Sequence, residues 1–223
     1  MNGPLVPHDP ATVALFRLDR AALPQYLNRD QVRELVAACR RPRDRMFVRI
    51  AFETGGRVSE LLQLVKSDVD LPNRQIRLRT LKRRNDRRRR QVELARWIPV
   101  GDALCADVGD WFLKLAEARP RRPDQDAPVV SRFTDEPRLF PYSRQAMFNT
   151  VRHAGERAGL VARGGRKISP HILRHSFAMN CINQGVPINV VKELLGHSSI
   201  TNTMVYLKTA PAEAREFLAK VQF

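Results

Sequence analysis

The chain is poor in cysteine, in long apolar runs and in acidic residues, and these shortages bound what it can be. Its three cysteines, Cys39, Cys105 and Cys181, are odd in number and far apart. We therefore expect reduced, buried thiols and neither a disulfide framework nor a zinc site. No apolar run approaches the ~18 residues that cross a bilayer. The first residues contain no basic region followed by an apolar run, so no signal peptide is visible and a cytoplasmic location is expected.

The shortage of acidic residues leaves a large positive charge. Lys and Arg number 39 against 23 Asp and Glu, which gives a formal net charge of +16. A charge of this size opposes compaction unless a polyanion neutralises it. Nucleic acid is the first candidate partner, and an anionic membrane surface is a weaker second one. Because 43% of the 223 residues are hydrophobic, a buried core is nevertheless expected.

The periodicity of apolar residues predicts mainly helices. Asn28 is a predicted N-cap, and apolar residues follow it at helical spacing from Val32 onward. Further helices are predicted at 43–53, from about 57, and at 103–118, 144–159, 170–185 and 188–196. Two alternating stretches, 75–80 and 91–100, predict paired strands. The sequence therefore predicts an α+β fold, mostly α-helical with a small antiparallel β-sheet or hairpin.

The loop between the two predicted strands is densely basic. Seven of the nine positions from Lys82 to Arg90 are Lys or Arg. Such a block repels itself without a counter-anion, which favours phosphate contact over a solvated charged loop. The predicted DNA-contacting residues are Arg83, Arg84, Arg87, Arg88, Arg89 and Arg90 here, and Arg144 and Lys167 elsewhere.

The stretch 169–208 carries four residues suited to phosphate chemistry, His171, Arg174, His197 and Tyr206. His171 and Arg174 share a face near the start of a predicted helix, where free N–H groups favour anions. Taken singly, His197 could instead satisfy the carbonyls of a helix end, and Tyr206 could be a core or interface tyrosine.

Arg57 follows a Gly pair at another predicted helix start. Taken alone, it could be a surface arginine paired with Glu53 or Glu60. Arginine suits phosphate oxygens because its fork donates two parallel hydrogen bonds and stays charged. A tyrosine with a pKa of about 10 needs a base or a strongly positive site before it can attack phosphorus. His171 could accept its proton, and a lysine on a mobile hairpin could protonate the leaving oxygen.

Three segments resemble the signature boxes of the tyrosine recombinase (phage-integrase-like) family: TGGRVSELLQL, HILRHSFA and LLGHSSITNTMVY. The family pattern is an arginine in a TG-x-R-x-SEL turn, a hairpin lysine, H-x-x-R-H, and LLGH with a tyrosine nine residues after its histidine. All of these occur here in order, over about residues 28–208.

The resemblance implies a catalytic set without metal or nucleotide cofactor. Arg57 and Arg174 would activate the scissile phosphate, and His197 would hydrogen-bond to it. His171 would be the general base or an orienting group, and Tyr206 would form a 3′-phosphotyrosyl bond. Lys82 would be the general acid for the 5′ hydroxyl, although Arg83 or Arg84 could occupy that position. The implied activity is site-specific recombination by integration, excision, inversion or resolution.

The resemblance also predicts domains and partners. Residues 1–27 would be an extended lead-in, 28–210 the catalytic domain, and 211–223 a C-terminal helix for subunit exchange. No N-terminal core-binding domain is expected, so the chain resembles the catalytic-domain-only members. The expected partners are double-stranded DNA, further copies in a tetrameric synapse, and possible accessory DNA-binding proteins, all at the nucleoid.

Three other functions compete with this one. A DNA-binding module without catalysis would not need the six residues intact. A zinc hydrolase could use His171 and His175 at i, i+4 spacing, but no Glu base lies between them and Arg174 would repel a cation. A type IB topoisomerase-like enzyme would share the chemistry and differ only in lacking strand exchange.

Overall fold

The computed structural model describes residues 25–83, 91–117, 129–161 and 167–197, together with Ser199 and Thr203. The helices of these segments are α1 Arg29–Ala37, α2 Pro42–Thr54, α3 Val58–Leu61, α4 Asp102–Glu117, α5 Arg144–Arg157, α6 Pro170–Asn183 and α7 Ile188–Leu195. The strands are β1 Val69–Asp70, β2 Gln75–Arg83 and β3 Gln91–Pro99. The prediction of a mostly helical α+β fold with a small antiparallel sheet is confirmed.

The helix boundaries follow from local chemistry. At the start of α1, the Asn28 side chain accepts the Gln31 N–H at 2.8 Å, and the Gln31 side chain accepts the Asn28 N–H at 3.0 Å. This reciprocal capping box satisfies two N–H groups that have no helical partner. Ser143 caps α5 with a single bond, in which its Oγ accepts the Ala146 N–H at 3.1 Å. Ser169 occupies the predicted cap position of α6, but its side chain makes no capping bond.

The sheet has the order β1-β2-β3 and is antiparallel throughout. The two-residue β1 was not predicted because so short a strand has no readable alternation. The long hairpin has one buried face, which carries Ile76, Leu78 and Ile98. On the other face, the Arg77 guanidinium lies 5.1 Å from the centre of the Trp97 ring. The alternation of side chains along β2 therefore separates a core-facing from an outer face.

An aromatic cluster forms the centre of the core. Phe47 of α2 meets Phe140 edge-on, with ring centroids 5.2 Å apart, and Trp111 of α4 stacks on Phe140 at 5.6 Å. Phe47 and Phe140 are fully buried. Burial of each large side chain of this kind contributes about 1.5–3 kcal/mol. The cluster joins α2 and α4 to the segment that leads into α5.

The end of α2 makes a close approach to α6. Gly55 has φ +60°, and a Cβ on it would lie 2.4 Å from Cδ1 of Phe177. Phe177 in turn belongs to a small apolar cluster that packs α7 on α6 through Val191 and Leu195. Only a glycine allows both this backbone angle and this distance. The ends of α2 and α7 are therefore brought to the same side of α6.

The prediction that all three cysteines are buried is wrong: Cys39 is buried, whereas Cys105 and Cys181 are partly exposed. Among the described helices, none has the length and apolar character needed to cross a membrane. Within the same segments, no group of three or more His, Cys, Asp or Glu side chains could hold a metal ion.

Candidate active site

Arg57 is the N-cap residue directly before α3, and it is held by Glu60. Its backbone N–H donates to Glu60 Oε2 at 2.8 Å, and its Nη1 donates to Oε1 at 3.0 Å. Its Nη2 donates to the carbonyl of Gly196, 3.2 Å away and 139 positions further along the chain. The Arg57–Glu60 ion pair, which offered an ordinary explanation for this arginine, is thus present. It fixes the guanidinium beside the end of α7.

Arg174, on the first turns of α6, is buried. Its Nη1 donates to the Gly55 carbonyl at 2.6 Å, and its Nη2 donates to the Leu195 carbonyl at 2.7 Å. The last carbonyls of a helix lack internal partners and carry the negative end of the helix dipole. A buried guanidinium is therefore favoured there. Arg174 and Arg57 consequently meet at consecutive carbonyls, those of Leu195 and Gly196.

His197 follows directly on that helix end. Gly196 adopts the left-handed conformation that ends α7, and the His197 N–H donates to the Lys192 carbonyl at 3.1 Å. The imidazole ring contacts Thr203: its Nδ1 lies 2.9 Å from Oγ1 of that residue, which is completely buried. Burial, and then the charges of Arg174 and Arg57, lower the pKa of His197 to about 4. The imidazole is neutral near pH 7.

His171 lies on the first turn of α6, on the exposed side. The protein atoms around its ring, and then the charges of Arg174, Arg144 and Arg57, lower its pKa. Its ring centroid is 6.4 Å from that of His175. Burial first, and then His171 and Arg174, lower the pKa of His175 to about 4. Both rings are therefore mainly neutral at pH 7.

Two residues of the site were not predicted as site residues, Glu60 and Arg96. Arg96 of β3 binds the Glu60 carboxylate with both arms of its fork, Nη1 to Oε1 at 3.1 Å and Nη2 to Oε2 at 2.8 Å. Burial raises the pKa of Glu60, but the hydrogen bonds and charges of Arg96 and Arg57 outweigh it and the pKa is lowered. The position of Glu60, three residues after a helix start, was the sequence signal for its role. Arg96 had no such signal.

The structure describes the remaining predicted residues only in part. The backbone of Lys82 lies in β2 opposite Val92. Arg144 is exposed, with its guanidinium 5.7 Å from the centre of the Phe148 ring. Lys167 Nζ lies 2.9 Å from Glu156 Oε1, and this ion pair partly neutralises the lysine. Several predicted residues lie outside the described part of the chain, namely Tyr206, Arg84, Arg87, Arg88, Arg89 and Arg90. Of Arg83, only the backbone position in β2 is described.

The described residues form one positively charged site from distant parts of the chain. Arg57, Arg174, His171 and His197 come together, with Arg144 close enough to influence His171. Two guanidiniums beside two neutral imidazoles can bind an anion and stabilise further negative charge that develops on it. A neutral imidazole can also accept a proton, which a protonated one cannot.

The known proteins to which this chain is similar are tyrosine recombinases and integrases. The Tyrosine recombinase XerA of Pyrococcus furiosus is 29% identical over 199 residues, which cover 87% of this chain and 60% of that protein. The crystal structure of XerA recombinase has a TM-score of 0.68 at 25% identity, covering 93% of this chain and 67% of that one. The catalytic domain of bacteriophage HP1 integrase has a TM-score of 0.54 at 27% identity, covering 87% and 94% respectively.

The chain thus spans about 60% of the length of the curated XerA relative. The model of the phage integrase family matches residues 25–213, which is most of the chain and includes every residue of the site. The chain therefore belongs to the phage integrase family.

Proposed function

We propose that this chain cuts and rejoins DNA strands as a site-specific recombinase, through a 3′-phosphotyrosyl intermediate. The observation that carries the proposal is the meeting of Arg57 and Arg174 at consecutive carbonyls directly before His197. Two forks at this spacing suit the nonbridging oxygens of one phosphodiester. Family membership supports the same chemistry, since its relatives are named tyrosine recombinases.

In this proposal, Arg57 and Arg174 stabilise the transition state. Attack on a phosphodiester gathers negative charge on the nonbridging oxygens, and donors already fixed in place stabilise that charge without reorganising. Glu60 orients Arg57, and the Gly55 and Leu195 carbonyls orient Arg174. Loss of one such donor typically slows a reaction about 10²–10³-fold.

The two histidines take different roles. When the Thr203 hydroxyl donates to Nδ1 of His197, the ring carries its proton on Nε2 and can donate it to a phosphate oxygen. His171, exposed and neutral, is the base or orienting group for the tyrosine proton. His175, whose ring centroid lies 6.4 Å from that of His171, has a packing role beside it.

Tyr206 and Lys82 complete the reaction. The Tyr206 oxygen forms a bond to phosphorus while the bond from phosphorus to the 5′ oxygen breaks. Lys82 gives a proton to that oxygen, and the reverse reaction rejoins the strand, because the phosphotyrosyl bond conserves the phosphodiester energy. An arginine holds its proton too tightly to act as this acid, which favours Lys82 over Arg83 and Arg84.

The strand register supports the same choice. Side chains alternate between the two faces of a strand, so position 82 shares a face with Leu78, whose partner across the hairpin is Arg96. Position 83 belongs to the opposite face. Lys82 is therefore the basic residue of β2 at the register that leads toward Arg96 and the site.

The proposal extends to organisation and partners. Residues 28–210 would form the catalytic unit, 1–27 a lead-in, and 211–223 a helix that binds a neighbouring copy in a tetrameric synapse on double-stranded DNA. The net charge of +16 supports a DNA partner. An accessory DNA-binding protein would assist in selecting the site. Arg144, Lys167 and the basic hairpin would contact the phosphate backbone.

The direct test compares wild type with Tyr206→Phe. Each is incubated with labelled supercoiled plasmid or with DNA flanking its own gene, then denatured with SDS. We expect protein bound covalently to a DNA 3′ end in wild type only, with DNA binding equal in both. An adduct that persists in Tyr206→Phe would remove Tyr206 from the role. An adduct without recombinant products would favour a topoisomerase-like enzyme, and binding without any adduct would favour a DNA-binding module.

A further inference from the structure

We propose that Arg96, which is not among the predicted catalytic residues, is a positioning residue that joins Arg57 and the His197 turn into one rigid unit. This inference rests on the proposed recombinase function and names a further residue on which it depends. Arg96 would act through Glu60 on one side and through the end of α7 on the other.

The first half of the argument is the shared carboxylate. Glu60 is almost wholly buried, and it accepts hydrogen bonds from Arg57 and from both arms of the Arg96 fork. Arg57 reaches Oε2 with its backbone N–H and Oε1 with Nη1, so its guanidinium makes only one contact with Glu60 and could pivot about it. The bidentate fork of Arg96 fixes the plane of the Glu60 carboxylate, and that plane sets where the Arg57 guanidinium points.

The second half is the end of α7, where three consecutive carbonyls each accept from a different arginine. Arg96 Nε donates to Leu194 O at 2.8 Å, Arg174 donates to Leu195 O, and Arg57 donates to Gly196 O. The last carbonyls of a helix have no partners within the helix, and at this helix end the three arginines supply them. Arg96 is therefore the third member of a set whose other two members are proposed to bind phosphate.

The packing at the turn before His197 adds a third contact. A Cβ on Gly196 would lie 3.0 Å from Nη1 of Arg96, so the guanidinium lies directly against this turn. Gly196 also has φ +63°, which a side chain rarely adopts. Because residue 196 is a glycine, the backbone of this turn packs directly against the Arg96 guanidinium. A displaced Arg96 would leave both the turn and the imidazole of His197 less well defined.

The electrostatics explain why three arginines can lie together. Their like charges repel, and two local features offset that repulsion, the ionised Glu60 and the negative end of the α7 dipole. Arg96→Met removes one positive charge but leaves Glu60 buried with Arg57 alone. The Arg57 guanidinium is then free to move toward Glu60 and away from Gly196. Arg96→Lys keeps the charge and loses the planar fork.

The test compares Arg96→Met and Arg96→Lys with wild type, and uses Arg49→Met as a matched control. Arg49 is also partly buried, and it pairs with the carboxylates of Glu53 and Asp107, away from the site. Two properties are measured. The first is amide hydrogen exchange at Arg57, whose N–H binds Glu60, and at His197, whose N–H binds Lys192 O. The second is single-turnover formation of the DNA adduct on supercoiled plasmid.

We expect Arg96→Met to accelerate exchange at Arg57 and His197 together, while Arg49→Met leaves both amides at the wild-type rate. Adduct formation should fall about 10²-fold, because misplacement of catalytic groups by about 1 Å costs that much. DNA affinity should stay within about threefold. Arg96→Lys should be intermediate, since it restores charge but not the fork.

Two results would overturn the inference. One is unchanged exchange at either amide, and the other is adduct formation by Arg96→Met within about threefold of wild type. A wild-type protein that forms no adduct would count against the proposed function instead. In that case, the exchange at Arg57 and His197 still decides whether Arg96 joins the two parts.

Discussion

His197 shows how single residues set the chemistry of this site. Its pKa of about 4 arises first from burial and then from the charges of Arg174 and Arg57. Because the imidazole is neutral near pH 7, it can offer a hydrogen bond without adding a further positive charge beside two guanidiniums. Its Nδ1 contact with Thr203 decides which ring nitrogen is left for a substrate.

The role of Thr203 can be tested by removing its hydroxyl. Thr203→Val keeps the volume but leaves Nδ1 of His197 without its partner, so the ring can rotate or change tautomer. We expect adduct formation to slow about 10–100-fold, somewhat less than the loss of a whole oxyanion donor. The measurement is the single-turnover adduct rate of wild type and variant over a range of pH.

Thr203→Ser is the control, because it keeps the hydroxyl and loses only a methyl group. Its adduct rate and pH profile should stay close to those of wild type. A Val variant as fast as the Ser variant at every pH would show that the His197–Thr203 contact has no part in the reaction.

At the scale of elements, the end of α7 and the β2–β3 hairpin have different tasks. The end of α7 is a fixed platform, since its last carbonyls bind arginines from α3, β3 and α6. The hairpin is anchored at its base, where Asp68 is buried and binds Arg77 and Arg79. This anchoring fixes the strand register on which the proposal for Lys82 rests.

The hairpin lysine can be tested by changing the leaving group. Lys82→Ala should cleave ordinary DNA about 10²–10⁴-fold more slowly, the usual loss when a general acid is removed. DNA that carries sulfur in place of the 5′ bridging oxygen should restore the rate, because a thiolate leaves without a proton. The measurement is adduct formation on matched oxygen and sulfur substrates.

Arg83→Ala is the matched comparison for this experiment. It should bind DNA more weakly, and the sulfur substrate should not restore that loss. Rescue of Arg83→Ala but not of Lys82→Ala would transfer the acid role to Arg83 and contradict the strand-register argument.

At the scale of the whole molecule, the dominant property is charge. The formal charge of +16 is left over after every acidic side chain is counted, so ion pairs within the chain do not reduce it. The densest basic block, 82–90, begins at the end of β2 and continues to the start of β3. Contacts with DNA phosphates release counterions, so affinity should fall steeply as salt rises. The expected salt dependence rests on the proposal that the hairpin contacts DNA.

The salt dependence gives a quantitative test. In a titration of a mixed-sequence duplex, each lost phosphate contact should reduce the slope of log affinity against log salt by about 0.9. Replacing Arg88 and Arg89 with Gln should therefore make the slope shallower by about two. Arg74→Gln, at the opposite end of the hairpin and paired with Asp102, should leave it unchanged. A flat titration for wild type would contradict the proposed contact.

Local sequence determined most of the elements. The Asn28 capping box, the Pro170 helix start and the glycines that end α2 and α7 act within a few residues, so each could be predicted. The alternation in β2 and β3 likewise predicted the hairpin. The strand β1 escaped prediction because two residues contain no pattern and pair only once β2 is in place.

The catalytic candidates were also determined by sequence, since their residue types and spacing resemble a known family. Their assembly was decided by the tertiary structure. Arg96 and Glu60 are 36 positions apart, and Arg57 and Gly196 are 139 apart. No local pattern encodes such pairs, because hydrogen bonds between distant segments form only after the core has packed those segments together. The low pKa of His197 has the same origin, since burial and neighbouring guanidiniums exist only in the folded chain.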